Sequence, residues 1–115
     1  MTMDFRSLAD AEKAIVGQAL RAAADGPFFP DWEFHALFGL ERSDVRAIAD
    51  TWPEAAASSA KISLAVNNSM NNLLGYPHGE DAVWSQWISV DRQQLDELFS
   101  RLRDSDKERY FDRLA

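Results

Sequence analysis

The sequence predicts an all-α protein, a compact irregular bundle of five or six helices forming one domain over residues 1–115. Three observations carry that expectation: apolar residues recur three and four positions apart, Gly and Pro stand between those stretches, and no run alternates in the manner of a half-buried strand. At 46% hydrophobic and 27% charged, the composition is that of a packed globular chain rather than a disordered one.

Ser7 is placed to cap a first helix that runs to about Ala24, with Leu8, Ile15, Val16, Ala19 and Leu20 on one face. Asp25-Gly26-Pro27 stops it, because Pro27 cannot continue the backbone ladder. Asp31 is the expected cap of a short helix from Trp32 to Phe38, closed by Gly39, and a third helix over 43–52 is ended by Pro53. The Ala- and Ser-rich stretch Glu54 to Ala60 reads as a turn. Beyond it a longer, uncharged helix near residues 59–74 is expected at the centre of the bundle, since its Ile62–Val66–Met70–Leu73 and Leu64–Asn67–Asn71–Leu74 rows lie on nearly opposite sides. Gly75-Tyr76-Pro77 terminates that helix, and residues 82–88 fit either a short helix or an extended aromatic segment. Asp91 and Gln94 then form a capping box with Val90 and Leu95 as its hydrophobic staple, and Asp104-Ser105-Asp106 is expected to interrupt the last helix before a turn holding Tyr110, Phe111 and Leu114. No internal repeat is evident in the residues.

Composition also narrows function. The chain has no Cys, which removes disulfides, thiolate catalysis and Cys-ligated metal centres. The N-terminus lacks the apolar core of a secretory signal, and the longest uncharged stretch contains four Asn and a Pro, so a cytoplasmic protein with no membrane span is expected. With 19 acidic and 12 basic residues the net charge is −7, and acid is in excess in each third of the chain. That balance opposes the electrostatic attraction behind most nucleic-acid binding and favours a basic or neutral protein partner.

Four features could carry chemistry. Phe34, Phe38, Gly39, Leu40, Val45 and Ile48 loosely resemble the spacing of a helix-turn-helix, with helices near 32–38 and 43–52. Its would-be recognition helix, however, mixes Arg42 and Arg46 with Glu41, Asp44 and Asp50. A tight structural corner is the plainer reading. The segment from Asn67 to Gly79 holds four Asn in two turns, which costs ~1–2 kcal/mol in helix propensity. Those amides either tie neighbouring loops to the helix or form a polar recognition surface, so Asn67, Asn71, Tyr76 and His78 are candidate partner or ligand contacts. His78 near Glu80 and Asp81 has no second His or Cys at ligand spacing, so neither a metal site nor a cofactor is expected. Trp84 and Trp87 are candidate contact residues too, against the plainer reading that both fill the core.

No catalytic elbow, phosphate loop, dinucleotide fingerprint or zinc-protease helix is present in the sequence. Elimination therefore leaves a non-enzymatic acidic protein-binding module, with a stoichiometric inhibitor of the immunity-protein kind as the specific guess. A divergent helix-turn-helix regulator is the alternative, and a small-molecule or enzymatic site around the Asn/Tyr/His segment is the third possibility. The oligomeric state is not legible.

Overall fold

A computed structural model describes residues 3–54 and 59–114, and side chains as far as Asp104. Six helices and one 3-10 turn make up the bundle, with no strand among the described residues. They are α1 (Asp10–Asp25), α2 (Asp31–Phe38), α3 (Arg42–Thr51), α4 (Ala60–Gly75), the turn Asp81–Val83, α5 (Trp84–Trp87) and α6 (Arg92–Leu114). The turn and α5 resolve the ambiguous 82–88 segment as helical.

Local chemistry sets most of the boundaries. Ser59 caps α4 by accepting the Ile62 N–H at 3.1 Å, and Gly39 closes α2 with φ 66°, a left-handed conformation that needs no Cβ. The Asp91–Gln94 box opens α6: the Asp91 N–H donates to Gln94 Oε1 at 3.2 Å, and the Gln94 N–H returns to Asp91 Oδ1 at 2.8 Å. Three expectations need correction. Asp31 is the first residue of α2 and not its cap, since Pro30 holds the N-cap position and no side chain caps the helix. Helix α1 starts after Ala9, whose N–H is taken by Glu12 at 2.9 Å, so Ser7 is not its cap. Helix α6 also runs unbroken through Asp104-Ser105-Asp106, because these residues cost only tenths of a kcal/mol each in propensity and neither Gly nor Pro intervenes. Residues 55–58 lie outside the described chain, and the side chains of Tyr110, Phe111 and Leu114 lie outside the described ones.

Helix α4 is central, sharing the middle with α1, but it is not buried on both predicted sides: Val66, Met70 and Leu73 are buried, whereas Leu64, Asn67 and Leu74 of the other row are half-buried and Asn71 is exposed. Each long helix packs on the other and on the third helix that follows it. Their buried residues keep one register: Val16, Ala19, Leu20, Ala22 and Ala23 on α1, and Val66, Ser69, Met70, Asn72 and Leu73 on α4. The displacement is 50 residues in every pair, and it continues outward.

The chain is built twice. Long helix, short helix and following helix recur from Asp10 and from Ala60, and backbone hydrogen bonds recur with them. Lys13 N–H to Ala9 O and Ser63 N–H to Ser59 O are both 3.0 Å; Gly26 N–H to Ala22 O and Tyr76 N–H to Asn72 O are both 2.9 Å. The bonds that start the short helices, Glu33 N–H to Pro30 O and Val83 N–H to Glu80 O, match in the same way at 3.2 and 3.1 Å.

Contacts between the halves are exchanged rather than merely repeated. Helix α2 packs on α4 while α5 packs on α1. Asn68 donates to Phe38 O at 2.7 Å, and the equivalent Gln18 accepts the Ser89 N–H at 2.9 Å, so each long helix holds the end of the other half's short helix. Reciprocal contacts of this kind are also what the two-fold axis of a symmetric dimer produces.

Candidate functional site

The repeat brings one arginine in each half to the same task. Arg42 and Arg92 each open the third helix of their half, and each reaches back to the C-terminal end of the long helix. There the helix dipole and unpaired carbonyls favour a cation. Arg42 Nη1 donates to Ala23 O (3.2 Å) and Ala24 O (3.1 Å), Nη2 donates to Phe29 O (2.7 Å), and the guanidinium lies 4.4 Å from the Phe34 ring centre. Its Nε is 3.0 Å from Asp31 Oδ1, but off the N–H axis, so the contact is an ion pair without a hydrogen bond. Arg92 repeats the arrangement, donating to Leu74 O (3.0 Å) and Asp81 Oδ1 (2.6 Å) and lying 4.9 Å from the Trp84 ring centre. The hydrogen bond and charge of Arg92 hold the Asp81 carboxyl below the usual aspartate range.

This arrangement bears on the helix-turn-helix reading. Arg46 donates to Asp25 Oδ1 at 2.8 Å and to Ala24 O at 3.2 Å, so both arginines of α3 are engaged within the fold. A helix that reads a base edge needs such donors pointing outward.

The six residues singled out from the sequence separate by role. His78 Nδ1 accepts the Glu80 N–H at 3.0 Å, which assigns the ring proton to Nε2, and Nε2 donates to Leu73 O at 3.1 Å. Arg92 Nη2, 3.2 Å from the same Nε2, therefore faces a donor and makes no hydrogen bond there. The imidazole stands edge-on to Phe28 at 4.9 Å and beside Trp84 at 6.4 Å. Trp84 is buried, with its indole N–H on Val90 O at 2.8 Å. Tyr76 donates to Glu33 Oε2 at 2.5 Å, and that bond holds the phenol above its ordinary pKa. Tyr76, His78 and Trp84 thus gather beneath the end of α4 as internal supports, and Trp87 is half-buried against the core. Asn67 is half-buried and donates to the Asn68 side chain at 3.1 Å. Asn72 ties α4 to Leu37 O at 3.1 Å. Asn71 alone of the six is exposed.

Asn71 opens onto a groove of about 460 Å³ between α4 and α6, walled by Asn71, Leu74 and Gly75 on one side and Asp96, Phe99 and Arg103 on the other. Arg92 also borders it, and the Arg103 guanidinium lies 4.4 Å from the Phe99 ring centre. In the first half the last turn of the long helix is instead bridged to the third helix by ion pairs. There Arg21 bridges Asp25 (2.8 Å) and Asp50 (2.7 Å), and Arg46 joins Asp25 from the other side. The two guanidinium groups, Arg21 first, draw the Asp25 carboxyl below its usual pKa. At the corresponding positions the second half has Asn71, Gly75, Asp96 and Ser100, a set that cannot form this lattice. A separate groove of about 430 Å³ lies along α1 and α3, lined by Ala14, Gly17, Ala49, Trp52 and Pro53.

One more surface feature breaks the symmetry. Trp32 is 82% exposed, the one large hydrophobic residue so placed among the described residues, whereas its counterpart is Ala82. Among the described residues, no group of three or more acidic or His side chains is arranged to hold a metal ion, and no helix is long and apolar enough to cross a membrane. No protein-family model, curated protein or solved structure matches the chain.

Sequence reasoning missed Trp32, Arg92 and the α6 wall of the groove. A signal was present: Pro27 and Pro77, Asp31 and Asp81, and Arg42 and Arg92 are identical pairs at one constant spacing. Two of the three pairs are the ion-paired residues themselves.

Proposed function

We propose that this chain is a non-enzymatic acidic protein-binding module that captures a basic partner, as a stoichiometric inhibitor of the immunity-protein kind would. The observation that carries the reading is Trp32. An indole left 82% exposed at the start of α2 gains nothing for the fold, and Trp is a characteristic anchor of binding hot spots. Exposed carboxylates surround it in sequence and at the helix corner, with Asp31 94% and Glu41 66% exposed at the side chain. Together with a net charge of −7, this favours fast capture of a positively charged surface.

The test is affinity capture from native lysate with wild-type and Trp32→Ala baits side by side. A basic protein retained in stoichiometric amount by the wild type and lost with Trp32→Ala, at unchanged melting temperature, is the expected outcome. Equal capture by both baits, or retention of acidic proteins or nucleic acid instead, would overturn the reading.

A further inference from the structure

We infer that the exposed indole of Trp32, with the carboxylates of Asp31 and Glu33 on either side of it in the chain, is a receptor for a guanidinium group, an arginine side chain of the partner. The second half of the molecule shows how far this corner departs from what the fold needs. It has Asp81-Ala82-Val83 where the first half has Asp31-Trp32-Glu33, so the aromatic face and the second carboxylate are added together, in consecutive residues. Neither is consumed by packing against the core. Trp32 is 82% exposed, and the Asp31 side chain is 94% exposed. Glu33 accepts the neutral Tyr76 hydroxyl at 2.5 Å and has no ion pair among the described residues.

The charges of this corner decide the sign of its occupant. Asp31, Glu33 and Glu41 stand against Arg42, whose side chain is only 20% exposed and donates to three backbone carbonyls, and against His35, whose Nδ1 is 2.8 Å from Glu41. The positive end of the α2 dipole, about half a charge, is outweighed by the two carboxylates of that first turn. An apolar pocket closing over the indole would strip water from Asp31 and Glu33 without pairing them. A guanidinium instead stacks on the ring and bonds a carboxylate at the same time, and Trp is the best aromatic face for it. The molecule already uses this combination twice. Arg42 lies 4.4 Å from the Phe34 ring centre and 3.0 Å from Asp31, and Arg92 lies 4.9 Å from the Trp84 ring centre and 2.6 Å from Asp81.

The inference rests on the reading of the chain as a module for a basic partner and names the group that meets Trp32, yet the two are tested apart. The full-length ¹⁵N-labelled protein is titrated at low ionic strength with the peptide acetyl-(Gly-Arg)₃-amide, with its citrulline analogue, which keeps the shape and removes the charge, and with its glutamate analogue. The Trp32 indole N–H and the backbone amides of Asp31, Glu33 and His35 are followed. The arginine peptide should shift these signals and bind about five-fold more tightly than the citrulline peptide. Trp32→Leu keeps an apolar side chain without the π face and should weaken the arginine peptide about two- to five-fold, with Trp32→Phe in between. Glu33→Gln, whose amide oxygen still accepts from Tyr76, should reduce the preference for arginine over citrulline at unchanged melting temperature. Equal binding by wild type and Trp32→Leu, shifts confined to other faces of the molecule, or no preference for arginine over citrulline would each overturn the inference. A partner captured through Trp32 without that preference removes the guanidinium receptor and leaves the module; Trp32-dependent binding of the arginine peptide with no basic protein captured supports the receptor and removes the module.

Discussion

The two halves of this chain have one fold and two surfaces. In the first half the seam between long helix and third helix is bridged at the last turn of α1 by Arg21, Asp25, Arg46 and Asp50, and a tryptophan stands out at the short helix. In the second half the same seam is open, and the short helix begins with Ala82 and Val83 instead of Trp32 and Glu33. Features common to both copies, such as the arginine on the helix end, are what the fold requires. Features found in one copy are free of that requirement, and it is among these that recognition should be sought.

That division can be broken by experiment, beginning where the expected effect is largest. Arg42→Ala removes three hydrogen bonds to backbone carbonyls from a side chain only 20% exposed, and should cost about 3 kcal/mol in chemical denaturation. Arg92→Ala removes one carbonyl bond and a solvent-facing ion pair, and should cost about 1 kcal/mol. Equal losses would mean that the equivalence of the two arginines extends to energetics, and that the open half is as tightly built as the bridged one.

A smaller effect tests the exchange between the halves. Asn68→Ala leaves the Phe38 carbonyl without its side-chain donor and should cost about 1–2 kcal/mol. Gln18→Ala, at the equivalent but exposed bond, should cost about half as much, because water can replace the lost amide. Losses that simply add in the double variant would show that the two bonds act independently.

Ser69 offers a change of opposite sign. Its hydroxyl is buried with no hydrogen-bond partner among the described residues, while the matching position of the first half is Ala19. Ser69→Ala should therefore stabilise the protein by ~0.5–1 kcal/mol, and a destabilisation would show that the hydroxyl is satisfied after all.

The smallest effect is one of pH. Asp25 and Asp81 both have carboxyls held below their ordinary value, Asp25 chiefly by Arg21 and then Arg46, Asp81 by Arg92. A group depressed in the folded state contributes its stability above the unfolded value, and loses it as pH falls through the folded one. Melting temperature should thus hold steady to about pH 5 and decline below the aspartate range, with a shallower decline in Asp25→Asn. An Asp25→Asn profile identical to wild type would show that the bridged seam contributes nothing through its charges.

The helices themselves were legible in the sequence because they rest on local signals. Ile62, Val66, Met70 and Leu73 mark one face of α4, Gly39 ends α2, and Asp91 with Gln94 starts α6. The repeat was not, because burial can be conserved while the residues that achieve it are not. Leu20 and Met70, Val45 and Leu95, and Phe38 and Ile88 fill equivalent core positions with different shapes. The Asn cluster drew attention for a sound reason, but most of its amides are internal. Asn68 and Asn72 bind α2, and only Asn71 faces the groove. Asp96 carried no local signal, and Phe99 was legible only as part of the buried stripe Leu95, Leu98, Phe99 and Leu102, since a groove is a relation between two helices far apart in the chain.

The reciprocal packing of the halves also sets a rule for how many chains take part in one fold. Because α2 packs on α4 and α5 on α1, the corresponding half of a second molecule offers the same surface as the chain's own. What selects the chain's own half is proximity: the connection between α3 and α4 keeps it at a high effective concentration that a separate molecule matches only in crowded solution. Cutting or stiffening that connection would shift the balance from folding within one chain to exchange between two, without altering a residue of the interface.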